Sequence, residues 1–296
     1  MSSAHQATAG PRPPTRSRAR VLANGPEGHG RRLRLAVPGW SGSQPGQFLM
    51  IGAGAEGGAV RRDPLLPRPM AVYRELGAPQ GGERGEPADA SERVIELLYR
   101  VVGRGTALIA DLREGERVPL VGPLGRGFDL ESARPGVAGA VPALLVGGGT
   151  GIASLYEWAR TLAAAGRKVV VMLGARRRGD LLGLGDFEAL GVEVVATTED
   201  GSAGRSGLVT LPLGERLAAE PGATVYAVGP TPMMRACAGL AEARGARCFV
   251  SLENPMACGF GVCLGCAAPR RAGGFALVCR TGPVFEAGEI DWAGLP

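Results

Sequence analysis

The sequence predicts a mixed fold: an N-terminal antiparallel β-barrel, a central Rossmann-like parallel α/β domain, and a C-terminal segment organised around cysteines. Three observations predict it. Up to about residue 128, short alternating or apolar runs are divided by Gly/Pro turns with no helical period between them. From Ala143 the period changes to strand, glycine turn and helix, repeated. Near the carboxyl terminus Cys258, Cys263 and Cys266 stand as C-x4-C-x2-C, and Cys279 follows.

Residues 1–18 are rich in Pro, Ser and Arg with little to bury, so a disordered tail is expected there and the barrel at 19–136. Leu33, Leu35 and Val37 alternate with Arg32, Arg34 and Ala36, and the runs Gln47 to Ile51 and Val94 to Val102 follow as strands. The polar, Gly/Pro-rich stretch from Gly77 to Glu92 is expected to be a loose hairpin tip. Two spots suggest chemistry. In Arg68-Pro69-Met70-Ala71 an arginine stands at a strand start between prolines that fix its backbone, a suitable donor for bidentate phosphate binding. Leu98-Tyr99-Arg100 leads into Gly105-Thr106, where a helix from Thr106 to Leu112 would offer amides and a hydroxyl to a pyrophosphate. A turn arginine and a glycine-bearing helix start explain the same residues equally well.

The α/β domain is placed at 137–248. Ala143 to Val146 is a buried strand, Gly147-Gly148-Gly149-Thr150-Gly151 a turn, and the helix after it carries Leu155, Trp158, Ala159 and Leu162 at helical spacing. Glycines let the backbone approach a nucleotide phosphate, and the helix end presents unpaired N–H groups. Further strands are expected at Lys168 to Leu173, Val192 to Ala196 and Thr224 to Val228, with helices from Asp180 to Leu190 and, after Gly229-Pro230, from Pro232 to Arg244. No acidic residue closes the second strand; Arg176, Arg177 and Arg178 stand there instead, either to favour a 2′-phosphate or to coat a solvated loop.

The last domain, 249–296, carries the cysteines. Their spacing is the plant-type ligand pattern of a [2Fe-2S] cluster, with Cys258, Cys263, Cys266 and Cys279 as ligands. Gly259, Gly261 and Gly265 supply the backbone freedom that a loop wrapped round two irons needs. A structural zinc site and a pair of disulfides are the alternatives; zinc sites come more often as two CxxC knuckles. Cys237 and Cys248 lie in apolar contexts and are expected to be buried spectators.

Composition bounds the rest. No run of eighteen apolar residues and no apolar signal sequence occurs, so the expectation is a cytoplasmic protein without a membrane partner. The net charge of +5 rests almost wholly on scattered arginines, Lys168 being the single lysine, and no nucleic-acid partner is expected. The two histidines, His5 and His29, sit in the tail and a Gly-rich turn, so no catalytic residue is assigned and the hard chemistry falls to cofactors.

With these residues in view, the chain resembles the ferredoxin reductase superfamily from about residue 19 to its end. Arg68-Pro69-Met70-Ala71 looks like that superfamily's flavin motif, with Ala71 where Ser or Thr is common, and Gly229-Pro230-Thr231-Pro232-Met233 like its Gly-Pro-x-Pro-Met segment. The run from Ser251 to Cys266, with Val278 to Phe285, is similar to the electron-transfer subunits of NAD-dependent (type B) dihydroorotate dehydrogenases. The resemblance implies an FAD-binding barrel, a [2Fe-2S] cluster, NAD as electron acceptor, and a separate FMN-containing dihydroorotate dehydrogenase catalytic subunit in a heterotetramer of two copies each, serving pyrimidine biosynthesis. It assigns Arg68 to Ala71, Leu98 to Arg100, Gly105 and Thr106 to FAD. An NAD(P)H-dependent reductase serving a sulfite reductase, hydrogenase or transhydrogenase partner is the alternative, and a non-catalytic zinc module a rival of another class.

Overall fold

The structure is a computed structural model that describes residues 13–54, 64–78, 92–129 and 141–295. Strands β1 (Thr15–Glu27), β2 (Gly30–Val37), β3 (Phe48–Ile51), β4 (Arg68–Ala71), β5 (Arg74–Leu76) and β6 (Arg93–Tyr99), helix α1 (Arg104–Ala110) and strand β7 (Arg117–Leu124) form the first unit. All its pairings are antiparallel, in the order β4-β3-β7-β1-β2-β6-β5. The edge strands β4 and β5 are joined by only Val72 and Tyr73, so the sheet curls until its edges meet, and the Tyr73 N–H donates to the Glu96 carbonyl at 2.9 Å. The alternation read in β2 holds: Leu33, Leu35 and Val37 face a core shared with Ala19, Val21, Leu49, Ile95 and Leu97.

Two expectations change here. The disordered tail expected at 1–18 is too long, because Thr15 to Arg18 belong to β1, where they pair with β7 and Ser17 turns inward; residues 1–12 lie outside the described residues. Helix α1 starts at Arg104 rather than Thr106, since Gly103 takes the extended conformation of its N-cap. Most of the hairpin tip expected at 77–92 lies outside the described residues.

The second unit contains strand β8 (Ala143–Gly148), a 3-10 turn (Gly149–Leu155), helix α2 (Tyr156–Ala164), strand β9 (Val169–Ala175), helix α3 (Leu184–Ala189), strands β10 (Glu193–Thr198) and β11 (Arg205–Ser206), helix α4 (Thr210–Ala219), strand β12 (Thr224–Val228), helix α5 (Thr231–Glu242) and strand β13 (Cys248–Ser251). The cysteine segment adds the hairpin β14 (Ala267–Pro269) and β15 (Phe275–Leu277), helix α6 (Val278–Thr281) and strand β16 (Val284–Glu286). The sheet order is β11-β10-β9-β8-β12-β13-β16, parallel except that β16 runs antiparallel to β13. The crossover from β8 outward in both directions places a switch point between β8 and β12, where open α/β sheets hold their ligands. The helix expected from Asp180 is split: Arg178–Asp180 is a 3-10 turn, Gly183 takes a left-handed φ of 68°, and only Leu184–Ala189 is α-helical. Strand β13 spans the expected boundary at 248/249, and β16 returns the cysteine segment to the same sheet. No helix among the described residues is long and apolar enough to cross a membrane.

Candidate functional site

The switch point opens onto a cleft of about 650 Å³ between the two sheets. From the barrel come Arg68, Pro69, Met70 and Ala71 on β4, then Leu98, Tyr99, Arg100 and Thr106; from the α/β sheet come Gly148, Gly149, Thr150 and Pro230. Residues far apart in sequence thus share one wall-to-wall space. Arg68 and Arg100 give it two guanidiniums, while Phe48, Met70, Leu252 and Met256 are apolar. A ligand with a flat ring system and a diphosphate matches that lining. A groove of about 780 Å³ lies elsewhere, between α5 and residues 286–293. Its charges are largely paired, Arg247 with Glu286 at 3.3 Å and Arg271 with Glu242 at 3.5 Å, and it holds none of the expected cofactor residues.

Four of the expected residues do not line the cleft. Gly105 lies beneath Arg68, where any Cβ would collide with the guanidinium. Gly147, Gly151 and Gly229 serve backbone packing: a Cβ on Gly151 would stand 2.7 Å from Gly229 N and Cα, and Gly229 itself takes a φ of 152°. These glycines let β8 and β12 end side by side. Two lining residues have their polar groups engaged elsewhere. The Tyr99 hydroxyl donates to Asn24 Oδ1 at 2.9 Å, and the Thr106 hydroxyl accepts from Val102 N at 2.9 Å and donates to Gly103 O at 3.0 Å, so it closes the turn before α1. Arg176, Arg177 and Arg178 are exposed at the end of β9, as a solvated loop would be.

Sequence reasoning missed the third wall, Ser251 to Met256, because the run that contains it is tied to the cluster cysteines and nothing in its pattern points to the cleft. Its position is nonetheless regular, at the carboxyl end of β13 among the parallel strands. Among the described residues Glu253 is the one carboxylate lining the cleft. Solvent reaches it, yet the burial of its surroundings raises its carboxyl above the usual range.

The same segment runs directly into Cys258. Cys266 and Cys279 are buried with sulfurs 3.2 Å apart, too far for the roughly 2.05 Å of a disulfide. Cys258 is hydrogen-bonded with Cys263, which is exposed. The thiols therefore form two pairs, and among the described residues no group of three or more Cys, His, Asp or Glu side chains surrounds a single ion position. Two irons with two thiolates each fit this pairing and the plant-type spacing of the cysteines. Backbone N–H groups support the sulfurs: Phe260 N donates to Cys258 Sγ at 3.3 Å and Cys279 N to Cys266 Sγ at 3.4 Å. Amides led by that of Cys263 lower the Cys258 thiol to about 6, whereas burial beside Cys266 raises that of Cys279. Gly259 and Gly261 take φ of 79° each, as the loop requires, but Gly265 does not; Leu264 adopts the left-handed conformation at φ 60° instead. Phe260, Val262 and Leu264 project into solvent, 47%, 81% and 62% exposed, with Phe275 at 73%. Cys237 and Cys248 are buried in the core that also packs Cys266 and Cys279, and burial pushes the Cys237 thiol up to about 12.

Comparison with known proteins agrees with this geometry. Residues 145–239 match the oxidoreductase NAD-binding domain, and residues 253–291 match the iron-sulfur cluster binding domain of dihydroorotate dehydrogenase B. The dihydroorotate dehydrogenase B (NAD(+)) electron transfer subunit of Bacillus caldolyticus is 38% identical over 249 residues, covering 83% of this chain and 86% of the relative. That of Caldanaerobacter subterraneus is 38% identical over 283 residues, 92% of this chain and 97% of its own. Among solved structures, an NADH-dependent reduced ferredoxin-NADP oxidoreductase aligns with TM-score 0.73 at 27% identity, covering 94% of this chain and 91% of that one. A cytochrome P450 reductase from Amycolatopsis follows with TM-score 0.61 at 26% identity, over 82% of this chain and 70% of that one. With relatives this similar along most of its length, an NAD-binding match and a cluster-domain match, the chain belongs to the family of dihydroorotate dehydrogenase B electron-transfer subunits.

Proposed function

We propose that the chain passes electrons from a dihydroorotate-oxidising, FMN-containing partner to NAD+, holding FAD in the cleft and a [2Fe-2S] cluster on Cys258, Cys263, Cys266 and Cys279. The observation that carries this reading is contiguity: Ser251 to Met256 lines the cleft and leads within two residues to Cys258, so both cofactor sites share one wall. When bound, the cluster supplies single-electron transfer and the flavin the exchange between single electrons and hydride, the combination needed to join such a partner to NAD+.

The chain's own residues bind and position. Arg68 and Arg100 meet the negative charge of a diphosphate, and the Gly148 to Thr150 turn receives the dinucleotide at the switch point. Phe48, Met70, Leu252 and Met256 exclude water from the ring faces. Among the described residues no histidine lines the cleft, in keeping with a hydride transfer that needs alignment rather than a protein acid. The apolar tips of Phe260, Val262, Leu264 and Phe275, beside the cluster cysteines, are the face for the catalytic subunit, because electron transfer demands close approach. Family resemblance supports a heterotetramer of two copies of each chain. Six cysteines, none of them in a disulfide, suit a reducing compartment, the cytoplasm.

The test is a pull-down from the native cell under anaerobic conditions, followed by cofactor extraction. The expected result is an FMN-bearing partner with FAD and acid-labile sulfide on this chain. A colourless, zinc-bearing chain would contradict it, and a sulfite reductase or hydrogenase partner would favour the alternative reductase.

A further inference from the structure

The cleft arginine Arg100 belongs to the barrel, yet the acid that holds it comes from the other sheet. Asp180, at the end of the 3-10 turn after β9, is 6% exposed. Its Oδ1 lies 3.3 Å from Arg100 Nη2 and 3.3 Å from His29 Nδ1, and its Oδ2 lies 3.9 Å from Arg177 Nε. Backbone contacts fix the carboxylate. The His29 N–H donates to Gly179 O at 2.6 Å, and the β1–β2 turn meets the Gly179 turn so closely that a Cβ on Gly28 or on Gly179 would collide across the junction. The next residues continue the seam, with Gly183 N donating to Glu27 Oε1 at 3.1 Å and Asp186 accepting from Tyr73 and Arg32. Of these seam residues, Asp180 is the one paired with a side chain that lines the cleft.

We propose that Asp180 is a positioning residue of the flavin cleft, holding the Arg100 guanidinium in place from the α/β side so that the cleft is complete only when the two sheets are docked. The physical reason is that an arginine side chain has many rotamers, and an oriented, nearly buried carboxylate removes most of them before the ligand arrives. Because Asp180 stands two residues after Arg178 at the dinucleotide end of β9, it also ties that loop to the flavin wall. The inference rests on the flavin reading above.

The test measures FAD affinity of the full chain by flavin absorbance, beside thermal midpoints. Asp180→Asn and Arg100→Gln are each expected to weaken FAD binding about tenfold, the scale of one charge-assisted hydrogen bond, and the double variant no further than the weaker single. Asp186→Asn, which loosens the seam without touching the cleft, should lower the midpoint while leaving FAD affinity within about twofold. Should Asp180→Asn not fold, Asp180→Glu displaces the charge while keeping it and is expected to show the same loss and the same non-additivity. FAD affinity within about twofold of wild type in the Asp180 variant, or losses that simply add with Arg100→Gln, would overturn the inference alone. A wild-type chain that takes up no FAD would overturn the flavin reading and the inference with it.

Discussion

The Tyr73 hydroxyl donates to Asp186 Oδ2 at 2.7 Å, joining the strand link that closes the barrel to the first turn of α3 in the other sheet. Arg32 reaches the same oxygen at 2.6 Å and Arg74 the other at 3.0 Å, while Glu96, fully buried, takes Arg34 at 2.6 Å and Arg32 at 3.1 Å. Burial alone would raise the Asp186 carboxyl; the hydrogen bonds from Tyr73 and Arg32 outweigh it and hold it below the usual carboxylate range. A depressed acid stabilises above its unfolded pKa and loses that contribution as pH falls through its folded one. Asp186→Asn is therefore expected to cost about 1.5–3 kcal/mol near neutral pH. The difference from wild type should shrink steadily below about pH 4 in chemical denaturation, and a constant difference would refute the ion-pair account.

Gly105 should separate cofactor binding from stability. A methyl group there displaces Arg68 from its place over α1, but the site is an ordinary helical position and Ala is the better helix former by about 1 kcal/mol. Gly105→Ala is expected to keep or raise the thermal midpoint while FAD affinity falls about tenfold, as loss of one charged phosphate contact would give. Unchanged flavin titration would remove Arg68 from the binding site.

Glu253 predicts the opposite pH trend to Asp186. Its carboxyl is raised by burial, so the folded chain binds that proton more tightly than the unfolded one, and stability declines as pH rises through the folded pKa. Glu253→Gln should raise the thermal midpoint at about pH 8 and make little difference near pH 4, below the ordinary glutamate value of about 4.3. Equal shifts at both pH values would mean that ionisation of Glu253 has no part in the effect.

Much of this arrangement was legible in the chain. Alternation in β2, the glycine-rich end of β8 and the spacing from Cys258 to Cys279 each report a local requirement, so sequence alone exposes them, although Gly147 and Gly148 still belong to the strand and the turn begins only at Gly149. What escaped depends on tertiary context. Helix α4 carries Pro212 and Gly214, poor helix formers, and is held by burying Leu213 and Leu217. Strand β13 is four residues long, and only its place between β12 and β16 makes it a strand. The wall from Ser251 to Met256 and the reach of Asp180 to Arg100 join residues more than seventy positions apart, which no local pattern encodes. At Leu264 the expectation for Gly265 failed by one residue, because the loop places its left-handed turn before the glycine.

Cys263 is the exposed member of its pair. Cys263→Ser is expected to abolish electron flow to and from the catalytic subunit while leaving NADH-driven reduction of a small dye within about twofold, since alignment of flavin and dinucleotide is untouched. Assays of both activities on one preparation check this; equal loss of both would argue against separate roles for cleft and cluster.

The most direct measurement is electron paramagnetic resonance of the anaerobic wild-type complex after addition of NADH. The account predicts the signal of a one-electron-reduced [2Fe-2S] cluster appearing together with bleaching of the flavin band, and no such signal in Cys263→Ser. Flavin bleaching with no cluster signal in wild type, or full transfer to the catalytic subunit without the cluster, would contradict it.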